Sequence, residues 1–173
     1  MSKPSRPFDS RARTERPRAF FVTARTAGGR SLFQTERMAN LFVEVLRSYV
    51  KAGEFTVHDF VIMPNHIHLL MTVPGILSLE GAMQLIKGNF SFRANKELGF
   101  KGEIWQRGFS DVLVTDKRSF QLHRSYIDNN PVKKGLVKSP EEYRFGSACL
   151  KRQKKIGEEE ANDARAEESS LRG

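Results

Sequence analysis

The chain has one cysteine, Cys149, in 173 residues. That excludes an internal disulfide, fits a reducing compartment, and lies outside any cysteine spacing that holds a metal. No apolar run approaches the roughly 18 residues of a membrane span. The basic amino terminus lacks the apolar segment of a signal peptide. A soluble cytoplasmic protein with no membrane partner is expected. No internal repeat is visible, and the length suits one domain with a sizeable core.

Acidic side chains are in deficit: 20 Asp and Glu stand against 29 Lys and Arg, a net charge of +9. Such a balance favours a polyanionic partner, nucleic acid before a membrane surface. The excess is not confined to the ends. Residues 19–150 hold 17 basic and 12 acidic side chains, and residues 151–173 hold six of each. The folding part of the chain is basic in its own right.

Residues 1–18, rich in proline and arginine without apolar periodicity, read as a disordered basic arm. Residues 151–173 read as a charged, flexible tail, which leaves 19–150 as a single domain. Within it, Ala19–Arg25 is a short strand ended by Gly28 and Gly29. Met38, Leu41, Phe42, Val45, Leu46 and Tyr49 recur at helical spacing over residues 35–52. Phe55–Met63 and His66–Val73 are strands joined by Pro64-Asn65, a connection so short that they must pair antiparallel. A helix over 79–98 follows, with Leu79, Met83, Ile86, Phe90 and Ala94 on one face. Then come a loop carrying Trp105, a strand over 109–115, and a helix over 116–130 capped by Asp116 and stopped by Pro131. This order does not suit a parallel doubly wound sheet. It predicts an α+β fold, an antiparallel sheet with helices packed on it.

The chemistry concentrates in Met63-Pro-Asn-His-Ile-His-Leu-Leu70. Side chains alternate along a strand, so His66 and His68 share a face with Leu70 and Thr72, while Ile67, Leu69, Met71 and Val73 share the other. Their Cα atoms would lie about 6.5 Å apart, close enough for two imidazoles to share one metal ion. A His-x-His pair alone is unspecific. His58 and His123 read more simply as strand surface and helix packing than as further ligands. Tyr126 and Asn130 are one helical turn apart and can share a face. Tyr126 is a candidate nucleophile, although its body could equally pack in the core with the hydroxyl at the rim. Lys117, Arg118, Arg124, Lys133, Lys134 and Lys138 could guide a phosphate backbone past it, or form a solvated face. Among the aromatics, Trp105, beside Arg107 in a loop, is the best candidate to stack an unpaired base.

Together with Ile104-Trp-Gln106, Tyr126-Ile-Asp-Asn-Asn-Pro-Val-Lys-Lys-Gly-Leu-Val137 and Glu142-Tyr-Arg-Phe-Gly-Ser147, this motif resembles the single-tyrosine HUH (IS200-like) transposases, in particular the REP-associated tyrosine transposase branch. The resemblance covers residues 19–148. It implies a ferredoxin-like sheet with the histidine pair on a central strand and the tyrosine on a helix facing it. It implies that Tyr126 attacks single-stranded DNA near an imperfect REP-like hairpin, leaving a 5′-phosphotyrosyl link and a free 3′-hydroxyl. By matched position His66 and His68 would hold Mg2+ or Mn2+. Related transposases complete the metal site with a glutamine one turn after the tyrosine, where this chain has Asn130. Imidazole ligands suit Mn2+ or Zn2+ better than Mg2+. Many relatives carry a histidine in the first strand, where this chain reads Arg18-Ala-Phe-Phe-Val-Thr23. The family includes monomers and homodimers, and an enzyme of this kind would work at the nucleoid.

Two other readings compete. A nucleic-acid-binding module without cleavage accounts for the charge and the aromatics but gives His66, His68 and Tyr126 no task. A zinc hydrolase would use the histidines with water as nucleophile, but no further carboxylate or cysteine stands at ligand spacing.

Overall fold

A computed structural model describes residues 16–171. Of the expected arm, residues 1–15 lie outside the described residues. Arg18 already belongs to the first strand, β1 (Arg18–Arg25). There follow α1 (Glu36–Lys51), β2 (Thr56–Met63), β3 (His66–Val73), α2 (Leu79–Leu98), β4 (Ser110–Val114), α3 (Lys117–Lys133) and α4 (Ser147–Leu171), with short 3-10 turns between. The strands form one sheet in the order β2-β3-β1-β4, with every neighbour antiparallel. This is the ferredoxin-like α+β architecture expected from the sequence.

Strand alternation sorts the sheet into two faces. Val22, Ala24, Ile62, Ile67, Leu69 and Met71 pack with Phe42, Phe90 and their neighbours beneath α1 and α2, forming the large core. α1 buries Met38, Leu41, Phe42, Val45 and Leu46, the stripe its spacing predicts. α2 starts where Ser78 Oγ accepts the Gly81 amide at 3.0 Å, and ends at Gly99, whose φ of 66° suits a left-handed helix cap. The opposite face is smaller: Val61, Met63, Leu70 and Val114 meet Ile127 of α3.

Two boundaries differ from the sequence reading. Helix α3 does not stop at Pro131 but contains it and runs to Lys133. Proline costs most where its missing amide and its ring disturb a continuing helix. Here only one further turn is needed, and it is closed by bonds from Lys134 and Leu136 amides to the carbonyls of Asn130 and Pro131. At the other end, the domain limit placed at residue 150 falls inside α4, which carries helical backbone through the charged segment expected to be flexible. Basic residues there precede acidic ones by one turn, as in Lys154–Glu158 and Lys155–Glu159, a pairing that favours helix.

The large core is sensitive to volume and the helix surface is not. Phe90 is fully buried, whereas Phe92 on the same helix is 63% exposed. Phe90→Ala is expected to lower unfolding free energy by about 3–5 kcal/mol, and Phe92→Ala by less than about 0.5 kcal/mol, measured by urea denaturation.

Candidate active site

His66 and His68 project from β3 onto the face under α3 and are only 8% and 4% exposed. Their rings are 4.8 Å apart, edge to face. Each imidazole is held from behind. His66 Nδ1 lies 2.7 Å from Asn65 Oδ1 in the β2–β3 turn, and His68 Nδ1 lies 2.8 Å from Thr23 Oγ1 on β1. An amide oxygen can only accept, so His66 carries its proton on Nδ1 and leaves the Nε2 lone pair free. The same tautomer suits His68, whose Nε2 faces the Asn130 amide nitrogen at 3.5 Å. Anchoring one ring nitrogen is how proteins orient metal-binding histidines; the second nitrogen of His66 is left free, while that of His68 meets the Asn130 amide.

Helix α3 brings the other partners. Tyr126 meets His68 edge to face at 5.3 Å and Phe21 at 5.7 Å, and remains 41% exposed. Phe21 also stacks on His68 at 5.3 Å and on His123 at 4.5 Å, so one β1 ring braces three side chains of the site. Lys133 Nζ stands 5.6 Å from the centre of the Tyr126 ring. Asn130, one turn beyond Tyr126, is 3% exposed, and its Oδ1 is buried without a hydrogen-bond partner. Such an orphan oxygen is costly unless something comes to meet it.

Burial sets the charge state of the pair. It pushes the His66 imidazole down to about 4, with the nearby charges of Arg25 and Lys134 acting in the same direction. It pushes His68 down to about 3, with His66 and Arg25 adding to the effect. Both rings are therefore neutral at physiological pH, the form that ligates a metal. Among the described residues no three of His, Cys, Asp and Glu gather to hold a metal ion. The groups that could hold one are instead the two imidazoles and the side-chain amide of Asn130, whose nitrogen faces His68 Nε2 and whose Oδ1 is without a partner. Nitrogen and oxygen donors fit a divalent transition ion such as Mn2+.

The remaining sequence candidates separate. Lys117, Arg118, Lys133 and Lys134 are exposed on or beside α3. Arg124 is committed instead to the buried carboxylate of Asp59, with Nε 2.8 Å from Oδ2. Trp105 lies largely in the core, with its ring against Phe33, Phe42 and Phe90 and its Nε1–H donating to the Lys87 carbonyl at 3.3 Å. It borders an open cleft with Arg107 and Gly28. His58 Nε2 bonds the Thr72 hydroxyl at 2.7 Å and its ring meets Phe120, so it is occupied elsewhere. Phe21, Thr23, Asn65 and Asp59 were not singled out from the sequence. The first two could have been, because β1 beside β3 in antiparallel register sets Phe21 opposite Leu70 and Thr23 opposite His68.

The family model described as "Transposase IS200 like" matches residues 21–130, a span that runs from Phe21 to Asn130 and includes both histidines and the tyrosine. The chain belongs to the IS200-like transposase family. It is 33% identical over 96 residues to a protein of Haemophilus influenzae named "Putative REP-associated tyrosine transposase", covering 50% of this chain and 54% of that one. It is 30% identical over 94 residues to the "REP-associated tyrosine transposase" of Escherichia coli, covering 54% of each. The chain thus spans about half the length of these curated relatives. A solved REP-associated tyrosine transposase bound to a REP hairpin superposes with a TM-score of 0.64 at 25% identity, over 85% of this chain and 82% of that one.

The depressed histidines predict acid sensitivity. Between pH 6.5 and about 4 the unfolded chain binds protons that folded His66 and His68 refuse, so stability is fully present above pH 6.5 and is lost as pH falls. From pH 7.5 to 5.5 the loss should be about 1 kcal/mol per histidine. Urea denaturation at the two pH values should show it, and His68→Gln should flatten the dependence.

Proposed function

We propose that the protein is a metal-dependent single-stranded DNA nicking and joining enzyme that acts on REP-like hairpins, with Tyr126 as nucleophile. The observation that carries this reading is the convergence of the Tyr126 ring and the Asn130 side chain, whose amide nitrogen faces Nε2, on His68, from segments about sixty residues apart. The hairpin bound by the superposable REP-associated transposase supports the substrate class.

His66, His68 and Asn130 would hold Mg2+ or Mn2+, which when bound would supply Lewis-acid polarisation of the scissile phosphate. The chain's own residues do the rest. The half-exposed phenol of Tyr126 attacks phosphorus, the bond to the 3′ oxygen breaks, and the 5′ phosphate remains on the tyrosine. The phenolic proton leaves to solvent and the departing 3′ oxygen takes one up. Because the ester is conserved on the protein, a free 3′-hydroxyl can attack it and rejoin DNA without a nucleotide cofactor. Lys133 and Lys134 would draw the phosphate towards the ring, and Lys117 and Arg118 would extend that path. Phe21 and Thr23 belong to the first strand, in which many relatives carry a histidine, and here they orient His68 rather than add a ligand. Such work belongs in the cytoplasm, at the nucleoid.

A labelled hairpin oligonucleotide incubated with Mn2+ and run on a denaturing gel tests this directly. A covalent protein–DNA band is expected, abolished in Tyr126→Phe with hairpin Kd unchanged. Asn130→Ala should slow its formation about 10–100-fold. Mn2+ should raise the melting temperature of the wild type but not of His66→Ala/His68→Ala. Cut products without an adduct, persisting in Tyr126→Phe, would overturn the role of the tyrosine. Binding without cleavage under any metal would leave a nucleic-acid-binding protein.

A further inference from the structure

One buried charge is not used by the mechanism. Asp59 is fully buried, yet it faces α3 and α4. It keeps the period of two with Val61 and Met63, which lie on that same side of the sheet. A bulge between Val57 and Asp59 breaks the alternation there and lets Val57 join the large core instead. Its Oδ2 accepts from Arg124 of α3 at 2.8 Å, and its Oδ1 accepts from Lys151 of α4. The Ser147 hydroxyl at the start of α4 lies 3.5 Å from Oδ1 and accepts the Phe60 amide at 3.0 Å. One carboxylate therefore ties β2, α3 and α4 together.

The position of this tie on α3 gives it a consequence for Tyr126. At 100° per residue Arg124 and Tyr126 lie about 200° apart around the helix. Ile127 rests on the sheet between those two flanks. α3 buries only Ile127, Asn130 and Pro131, so its apolar docking is a narrow ridge. A helix resting on a ridge can roll, and a roll about Ile127 carries the phenol towards or away from His68. The ion pair on the far flank opposes that roll.

We propose that Asp59 is a positioning residue: through Arg124 it fixes the roll of the tyrosine helix over the histidines, and through Lys151 it couples that roll to the C-terminal helix. As a statement about the reaction it rests on Tyr126 being the nucleophile; as a statement about the helix it does not.

The test pairs two readouts on the full chain. Asp59→Asn and Lys151→Gln are compared with wild type for single-turnover adduct formation on the hairpin oligonucleotide with Mn2+, for hairpin Kd, and for amide hydrogen exchange. Adduct formation is expected to slow by more than about 10-fold in Asp59→Asn and about 3–10-fold in Lys151→Gln, with Kd within about 2-fold. Exchange should quicken in α3 and stay unchanged in α1 and α2, which a general loss of stability would not produce. Lys151 is half-exposed at the surface, so Lys151→Gln decides the matter if Asp59→Asn does not fold. Wild-type rates and exchange in Lys151→Gln would overturn the proposal. So would a loss of Kd in step with rate, which would mean that the cations act on DNA directly. If the wild type forms no adduct, the nucleophile reading falls and exchange alone decides: quickened α3 upholds the tie, and unchanged α3 overturns it.

Discussion

The two-residue alternation of β3 is the constraint on which the molecule depends. Ile67, Leu69, Met71 and Val73 must enter the large core, and each is fully buried there. Their burial fixes the register of the strand, since a slip of one residue would exchange its faces. That register in turn commits His66 and His68 to the opposite side. The core thus aims the histidines without touching them. It also sets β1 alongside in a register that presents Thr23 to His68 and Phe21 to the space beneath α3.

The two faces of the sheet are built to different standards. The α1/α2 side is continuous and aromatic-rich, with Phe33, Phe42, Phe90 and Trp105 in mutual contact. The α3 side has few fully buried aliphatics and depends on ring stacking and on the Asp59 cluster. Much of what holds α3 down is therefore polar and directional. Polar contacts fix orientation more sharply than apolar area does, and here they set the Tyr126 phenol against the His68 imidazole. The cost is the desolvation of two histidines and a carboxylate, which the large core offsets.

Much of this was legible in advance because it follows from spacing. The order of elements along the chain, the capping of α3 by Asp116, the apolar stripe of α2 and the shared face of His66 and His68 are local patterns that tertiary packing has no reason to override. Features that escaped are those where packing overrides the local rule. Pro131 sits inside a helix because one more turn is worth its lost amide. A bulge that no propensity marks sets Val57 in the large core and leaves Asp59 on the α3 side with Val61 and Met63. Trp105 sits in a loop rich in glycine and charge, yet its ring completes an aromatic cluster assembled from distant segments. Arg124 looked like one more cation on a basic helix, because its buried partner is 65 residues away in the chain.

Asn130 shows how a substitution at a site can be judged by reach. An asparagine is one methylene shorter than the glutamine expected at this place, which by itself would leave its amide short of the histidines. The helix supplies the difference. α3 lies close enough to β3 for the Asn130 amide nitrogen to stand 3.5 Å from His68 Nε2, with the side chain almost wholly buried. A longer side chain on this backbone would have to fold back or push α3 from the sheet, since buried sites tolerate added methylenes poorly. Side-chain length and helix height are thus a matched pair. The amide nitrogen spends this match on His68, which leaves Oδ1 as a buried acceptor that the polypeptide itself does not satisfy.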